Sequence, residues 1–150
     1  MPGFACPCYK AVRMAASAPS DDALARAVSL LDERLRPLAV VLYGSRALDP
    51  QSAASDFDIG VLFNTGAPDA LALAAASTEL EELLGGNVDL VALDDASPIL
   101  RMEALRQHRL LLNRDPEHFE RFVVRTLQEY FDLKRVREPI ERALFSTETR

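Results

Sequence analysis

Leu38-Ala39-Val40-Val41-Leu42-Tyr43-Gly44-Ser45, ten further residues, then Asp56-Phe57-Asp58-Ile59-Gly60-Val61-Leu62-Phe63 are the stretches that decide the fold. An unbroken apolar run such as Leu38–Tyr43 predicts a strand buried on both faces. Gly44-Ser45 turns the chain, and Gly44-Ser45-Arg46-Ala47-Leu48 starts a short helix. The second stretch opens on two aspartates two positions apart and predicts a strand over Asp56–Phe63. Its period of two puts both carboxylates on one face and sends Phe57, Ile59, Val61 and Phe63 into the core on the other. A third run, Asn87–Leu93, carries Asp89 inside it and predicts a third strand.

Helical signals lie between these strands. Ser20 reads as a cap, with Asp21 and Asp22 in the first turn. Leu24, Ala27, Val28, Leu31 and Leu35 follow at helical spacing, and Pro37 stops them. Asp49–Ser55 reads as a polar loop and Asn64–Pro68 as a turn, with Pro68 at the first helical position. Asp69–Leu84 is a helix closed by Gly85-Gly86. Ser97-Pro98 opens another, through about Gln107. Arg109–Asn113 reads as a short edge strand. Asp115-Pro116 caps a long C-terminal helix that carries Phe119, Phe122, Val123, Thr126, Leu127, Tyr130, Phe131 and Leu133 on one side. Pro139 is expected to end or kink it, and residues 146–150 to fray. Alternating helices and strands define an α/β (α+β) class with a small mixed sheet flanked by helices.

One domain is the natural size for 150 residues, and 49% hydrophobic content is ordinary for a globular fold. No apolar run approaches the roughly 20 residues of a membrane helix, so no membrane association is expected. The net charge of −6 lacks the basic footprint of a nucleic-acid binder. It suits a basic protein partner instead. Cys6 and Cys8 are the only cysteines, and His108 and His118 lack the spacing to complete a metal site with them. Two reduced thiols place the protein in the cytoplasm. No apolar segment follows Lys10 and Arg13, so no signal peptide is expected. Residues 1–19 read as a disordered segment in which Met14 competes with Met1 as the start, and residues 20–145 as a single domain.

The chemistry lies in Gly44, Ser45, Arg46, Asp56, Asp58 and Asp89. Two same-face carboxylates repel each other unless a cation joins them. Magnesium favours such oxygen ligands together with substrate phosphates. Glycine lets backbone approach a phosphate closely, and the N–H groups that follow point at anions. Ser45 adds a hydroxyl, and Arg46 can neutralise a triphosphate. Asp89 completes a site for a second cation or deprotonates an attacking hydroxyl. Each piece alone is unspecific, since most Gly-Ser pairs are turns and many Asp-x-Asp pairs are strand ends. Their joint order on three strands points to nucleotide transfer from a nucleoside triphosphate.

At these residues the chain resembles the minimal nucleotidyltransferases (MNT) of the DNA polymerase β superfamily, whose signature is Gly-Ser, a spacer, Asp-x-Asp and a later Asp on a strand. Further along, Pro98-Ile99-Leu100-Arg101, Arg109–Pro116 and Arg125–Lys134 resemble the MntA-type antitoxin branch. The resemblance spans about residues 20–140 and implies the nucleotidyltransferase fold. It also implies a HEPN-domain RNase toxin as partner in a hetero-oligomer, and transfer of AMP from ATP to a tyrosine hydroxyl of that toxin. On this reading Asp56, Asp58 and Asp89 are the catalytic and metal residues for two Mg2+ ions, and Gly44, Ser45 and Arg46 bind ATP. Where relatives often carry a glycine shortly after the arginine, this chain has Leu48-Asp49.

Two other readings compete. The chain is a binding module that covers its toxin, or a small-molecule nucleotidyltransferase acting on antibiotics. The intact motif speaks against the first. The lack of spare residues for an acceptor domain speaks against the second. Arg121, Arg125, Arg135, Arg137 and Arg142 give the last helix a basic cast, either as a solvated face or as a docking face. His108 and His118 read as surface residues, and Tyr43 and Tyr130 as core or core-edge aromatics.

Overall fold

A computed structural model of the chain describes residues 19–49 and 56–145. The elements are α1 (Pro19–Leu35), β1 (Ala39–Tyr43), α2 (Ser45–Leu48), β2 (Phe57–Leu62), α3 (Ala70–Leu84), β3 (Val88–Ala92), α4 (Pro98–Arg106), β4 (His108–Asn113) and α5 (Pro116–Phe145). The expected N-terminal segment, except its last residue, the body of the polar loop and the frayed tail lie outside the described residues.

The four strands form one mixed sheet in the order β3-β2-β1-β4. β1 runs antiparallel to β2 and β4, while β2 and β3 are parallel and joined through α3. Parallel neighbours need such a crossover, and the helix length between the two strands supplies it. β4 lies at an edge, as its short apolar run predicts.

Period-two alternation sorts the side chains. Val40, Leu42, Ile59, Val61, Phe63 and Val88 face α1 and α3, where Leu24, Leu31, Ala76 and Leu80 close the larger core. Phe57 packs at its margin, as its position between two aspartates requires. Ala39, Val41, Tyr43 and Leu62 face the other way, against Ala104 of α4 and Phe119 and Phe122 of α5. All five residues of β1 are buried, as expected of a strand covered on both sides.

The strands differ from expectation by a residue at one or both ends, and three helices differ in ways that have a physical reason. α1 begins at Pro19, a residue suited to a first turn because it lacks the orphan N–H, so Ser20 stands inside the helix. Pro68 lies ahead of α3, whose cap is Asp69; its carboxylate accepts the N–H of Ala72 at 2.7 Å. A carboxylate that satisfies a free N–H is the stronger start signal. α5 runs on through Pro139 to Phe145. The proline removes one bond, to the carbonyl of Arg135, and the bonds on either side carry the helix past it. At the other end of α3, Gly85 closes the helix in the left-handed conformation at φ 69°, its N–H bonded to the Glu81 carbonyl.

One charged side chain is buried where the second core meets the sheet. Arg101, 9% exposed, donates to the carbonyls of Leu93 at 2.8 Å and Asp94 at 2.6 Å, and to Glu129 Oε2 at 2.8 Å. It therefore ties α4 to the end of β3 and to α5. Arg101→Met keeps the volume and loses all three bonds. Hydrogen bonds from a charged donor are worth about 1.5–3 kcal/mol each, but these three share one guanidinium and are not additive, and partial exposure of Glu129 lowers its share, so a total near 2–4 kcal/mol is expected. The measurement is thermal unfolding, in which the variant should melt about 5–15 °C below wild type.

Candidate active site

β1 ends where β2 and β3 begin. The register sets Tyr43 opposite Asp58, Asp58 opposite Asp89, and Tyr43 opposite His108 on the other side. Paired residues on neighbouring strands share a face. Asp89, Asp58, Tyr43 and His108 thus form one row across the sheet, on the side of α4 and α5. Strands lie about 4.8 Å apart, so the carboxylates of Asp58 and Asp89 are neighbours.

Asp56 stands just before β2, where its Oδ1 accepts from Asn87 Nδ2 at 3.1 Å. Asp56 and Asp89 are exposed and Asp58 is half-buried. A charge inside an apolar run suggests burial, but Asp89 sits at the amino end of an edge strand and meets solvent. Among the described residues no three His, Cys, Asp or Glu side chains are already gathered in a metal-holding geometry. The register delivers Asp58 beside Asp89, while Asp56 is turned to Asn87.

Gly44 closes the site from β1. Its backbone is at φ 70° and ψ −158°, a region open essentially to glycine alone. A Cβ built there would run into Asp58 Oδ2. Glycine is therefore required for the turn and for the close approach of the Asp58 carboxylate. Ser45 begins α2 and is exposed. The guanidinium of Arg46 lies over the Phe57 ring, 3.8 Å from its centroid. Phe57 points to the face opposite Asp58, and the structure holds Arg46 beside β2.

The electrostatics of the row are one-sided. Asp58 titrates above the ordinary carboxylate range, first because burial disfavours its charge and then because Asp89, Asp56 and Glu103 repel it. The Tyr43 hydroxyl is pushed up to about 12 by burial, then by Asp89, Asp58 and Glu103. All the charged groups that shift these two residues are carboxylates. A donor set of hard oxygens with excess negative charge fits a divalent cation bound with phosphates.

Three participants escape a reading by strand spacing. Glu103 is an exposed residue of α4 that reaches the row only because Arg101 seats that helix. Asn87 holds Asp56 across the start of β3. His108, expected on the surface, is half-buried, with Nδ1 2.9 Å from the Leu105 carbonyl and its ring 6.1 Å from that of Phe119. The only sequence signal for His108 is its place at the head of β4.

The sequence pattern of the family described as "Polymerase beta, Nucleotidyltransferase" matches residues 26–117. That stretch is more than half of the chain and contains Gly44, Asp56, Asp58 and Asp89, and the chain belongs to this family. No curated protein sequence matches it significantly. Among solved structures, the fold is similar to a chain of a mutant MntA–HpeT toxin–antitoxin complex, with TM-score 0.73 and 26% identity over 81% of this chain and 98% of that one. A toxin–antitoxin structure with AMP-PNP gives TM-score 0.74 and 26% identity over 85% and 99%. The complex of a tri-AMPylated Shewanella oneidensis HEPN toxin with an MNT antitoxin gives TM-score 0.72 and 25% identity over 84% and 98%. No helix of the described residues is long and apolar enough to cross a membrane.

Proposed function

We propose that this protein is an antitoxin that transfers AMP from ATP to a tyrosine hydroxyl of a HEPN RNase partner and so silences it. The observation that carries this reading is the Asp58–Asp89 pair, set side by side by the β2–β3 register against the Gly44 turn. The similarity to MNT antitoxin structures, one with an ATP analogue and one with an AMPylated toxin, supports it.

Asp56, Asp58 and Asp89 would hold Mg2+, two ions in all, which would neutralise the phosphates and polarise the bond to be broken. The backbone at Gly44 and Ser45 takes the phosphates of ATP, with the Ser45 hydroxyl as a further donor. Asp89, exposed at the rim, accepts the proton of the incoming tyrosine hydroxyl. The tyrosine oxygen forms its bond to the α-phosphorus as the bond from that phosphorus to the bridging oxygen breaks. The products are an AMP ester of the tyrosine and pyrophosphate. Exposure of Asp89 leaves the row open to a hydroxyl carried on another protein, which favours a macromolecular acceptor over an enclosed small molecule.

Asp89→Asn tests the catalytic role directly. The variant should bind ATP and the HEPN partner but add no AMP to it by intact-mass measurement, and it should fail to rescue growth from the toxin. Growth rescue as good as wild type without AMP transfer would mean neutralisation by binding alone.

A further inference from the structure

The two halves of α5 differ. In the first, Phe119, Phe122 and Thr126 are buried against the domain, and Glu129 is bonded to Arg101. The same seam, stepping alternately by three and four residues, continues through Leu133, Val136 and Ile140. That alternation is the spacing of a face that packs against other helices. Val136 is 68% exposed, Ile140 58% and Leu144 66%. The face that holds α5 to its own domain thus runs on into solvent with its apolar residues uncovered.

Nothing local explains this extension. Isolated helices of fewer than about 12–15 residues are marginal in water, and an internal proline costs about 3 kcal/mol. Residues 131–145, half of the 30-residue helix, contain Pro139 and touch little of the domain. The arginines here do not supply a free basic face: Arg135 pairs with Asp132 at 3.7 Å, Arg137 with Glu141 at 3.6 Å, and Arg142 with Glu138. The three arginines are thus paired along the helix, which leaves the apolar seam as the main recognition feature. The family pattern ends at residue 117, so the extension lies outside the shared catalytic unit.

We infer that the C-terminal half of α5 is the docking element for the protein acceptor, seated in an apolar groove between two helices of an α-helical, net-basic partner. Two copies of this segment paired seam to seam would leave half of each helix facing away, whereas a two-helix groove covers the seam and both flanks. The net charge of −6 draws a basic partner from a distance. With the HEPN RNase as the acceptor, this inference rests on the proposed function and locates the contact that delivers the tyrosine. Docking and transfer are then separate tasks of separate residues.

The test uses the full chain with Val136→Glu and Ile140→Glu together, both exposed positions where glutamate favours a helix. The probe is a purified HEPN-domain RNase, the class proposed as acceptor. Expected are an unchanged melting temperature and ATP affinity, and HEPN affinity weaker by about 100-fold or more. AMP transfer at low HEPN concentration should fall in step. The paired Val136→Leu, Ile140→Leu variant should bind as wild type does. HEPN affinity within about twofold of wild type for the glutamate variant would overturn the inference. So would wild-type protein that fails to bind the HEPN protein. A wild-type homodimer in sedimentation that the glutamates make monomeric, with HEPN affinity intact, would assign the seam to a second copy. If wild type binds through the seam and adds no AMP, the docking assignment stands and the transfer reading falls.

Discussion

Asp58→Asn should make the metal-free protein more stable while abolishing AMP transfer. The stability gain follows from the row of carboxylates. Asp58 is held above its ordinary pKa by burial and by Asp89, Asp56 and Glu103, so its ionised form is penalised in the folded state. An amide of the same shape carries no such penalty. Relief of that penalty appears as a rise in melting temperature. The pH dependence has a defined sign. A carboxylate with a raised folded-state pKa binds more protons folded than unfolded, so stability falls as pH rises through the window between the two values. The gap between Asp58→Asn and wild type in chelator should be absent below about pH 4 and open above it. Magnesium with ATP should close it again in wild type alone. Transfer should drop by about 10³-fold or more, the scale of a lost cation ligand. A variant that melts below wild type in chelator would contradict the crowding. Normal transfer in magnesium would remove Asp58 from the machinery.

Gly44→Val attacks the same carboxylate from the other side. Spacing alone gives glycine one reason here, room for phosphate. The geometry adds two: a backbone conformation closed to other residues, and the Asp58 carboxylate lying where a Cβ would be. The strain costs about 1–3 kcal/mol, a fall of roughly 2–10 °C in melting temperature. Asp58 is pushed aside, and a misplacement near 1 Å costs about 100-fold in rate. A double-mutant cycle separates the effects. Gly44→Ala should destabilise less in an Asp58→Ala background than in wild type, with a coupling of about 0.5–3 kcal/mol. Additive effects would show that the two residues do not meet.

Much of this arrangement is written in local sequence. Period-two alternation around Phe57 places Asp58 on the open face, and a continuous apolar run marks β1 as central. What escapes is set by contacts between distant segments. Glu103 reaches the row through the seating of α4 on Arg101, whose charge gives no hint of burial. The Asn87–Asp56 bond depends on how β3 starts relative to β2. Asp89 appears buried from its neighbours in sequence and is exposed because its strand is an edge. At Pro68 and Asp69 two start signals compete, and the carboxylate that satisfies an N–H prevails.

The parallel β2–β3 pairing also makes the site sensitive to odd and even changes in chain length. Val88 and Ala92 are anchored in the core on one face, and Asp89 gains its place beside Asp58 by being one step out of phase with them. A single residue added between Val88 and Asp89 would turn that carboxylate toward α1 and α3, whereas two would restore its face but slide it about 6.6 Å along the strand. Additions in the Asn64–Asp69 connection leave the phase untouched. Lineages descended from this protein can therefore vary freely in length ahead of α3, while the few residues around Asp89 admit substitution but no change in count.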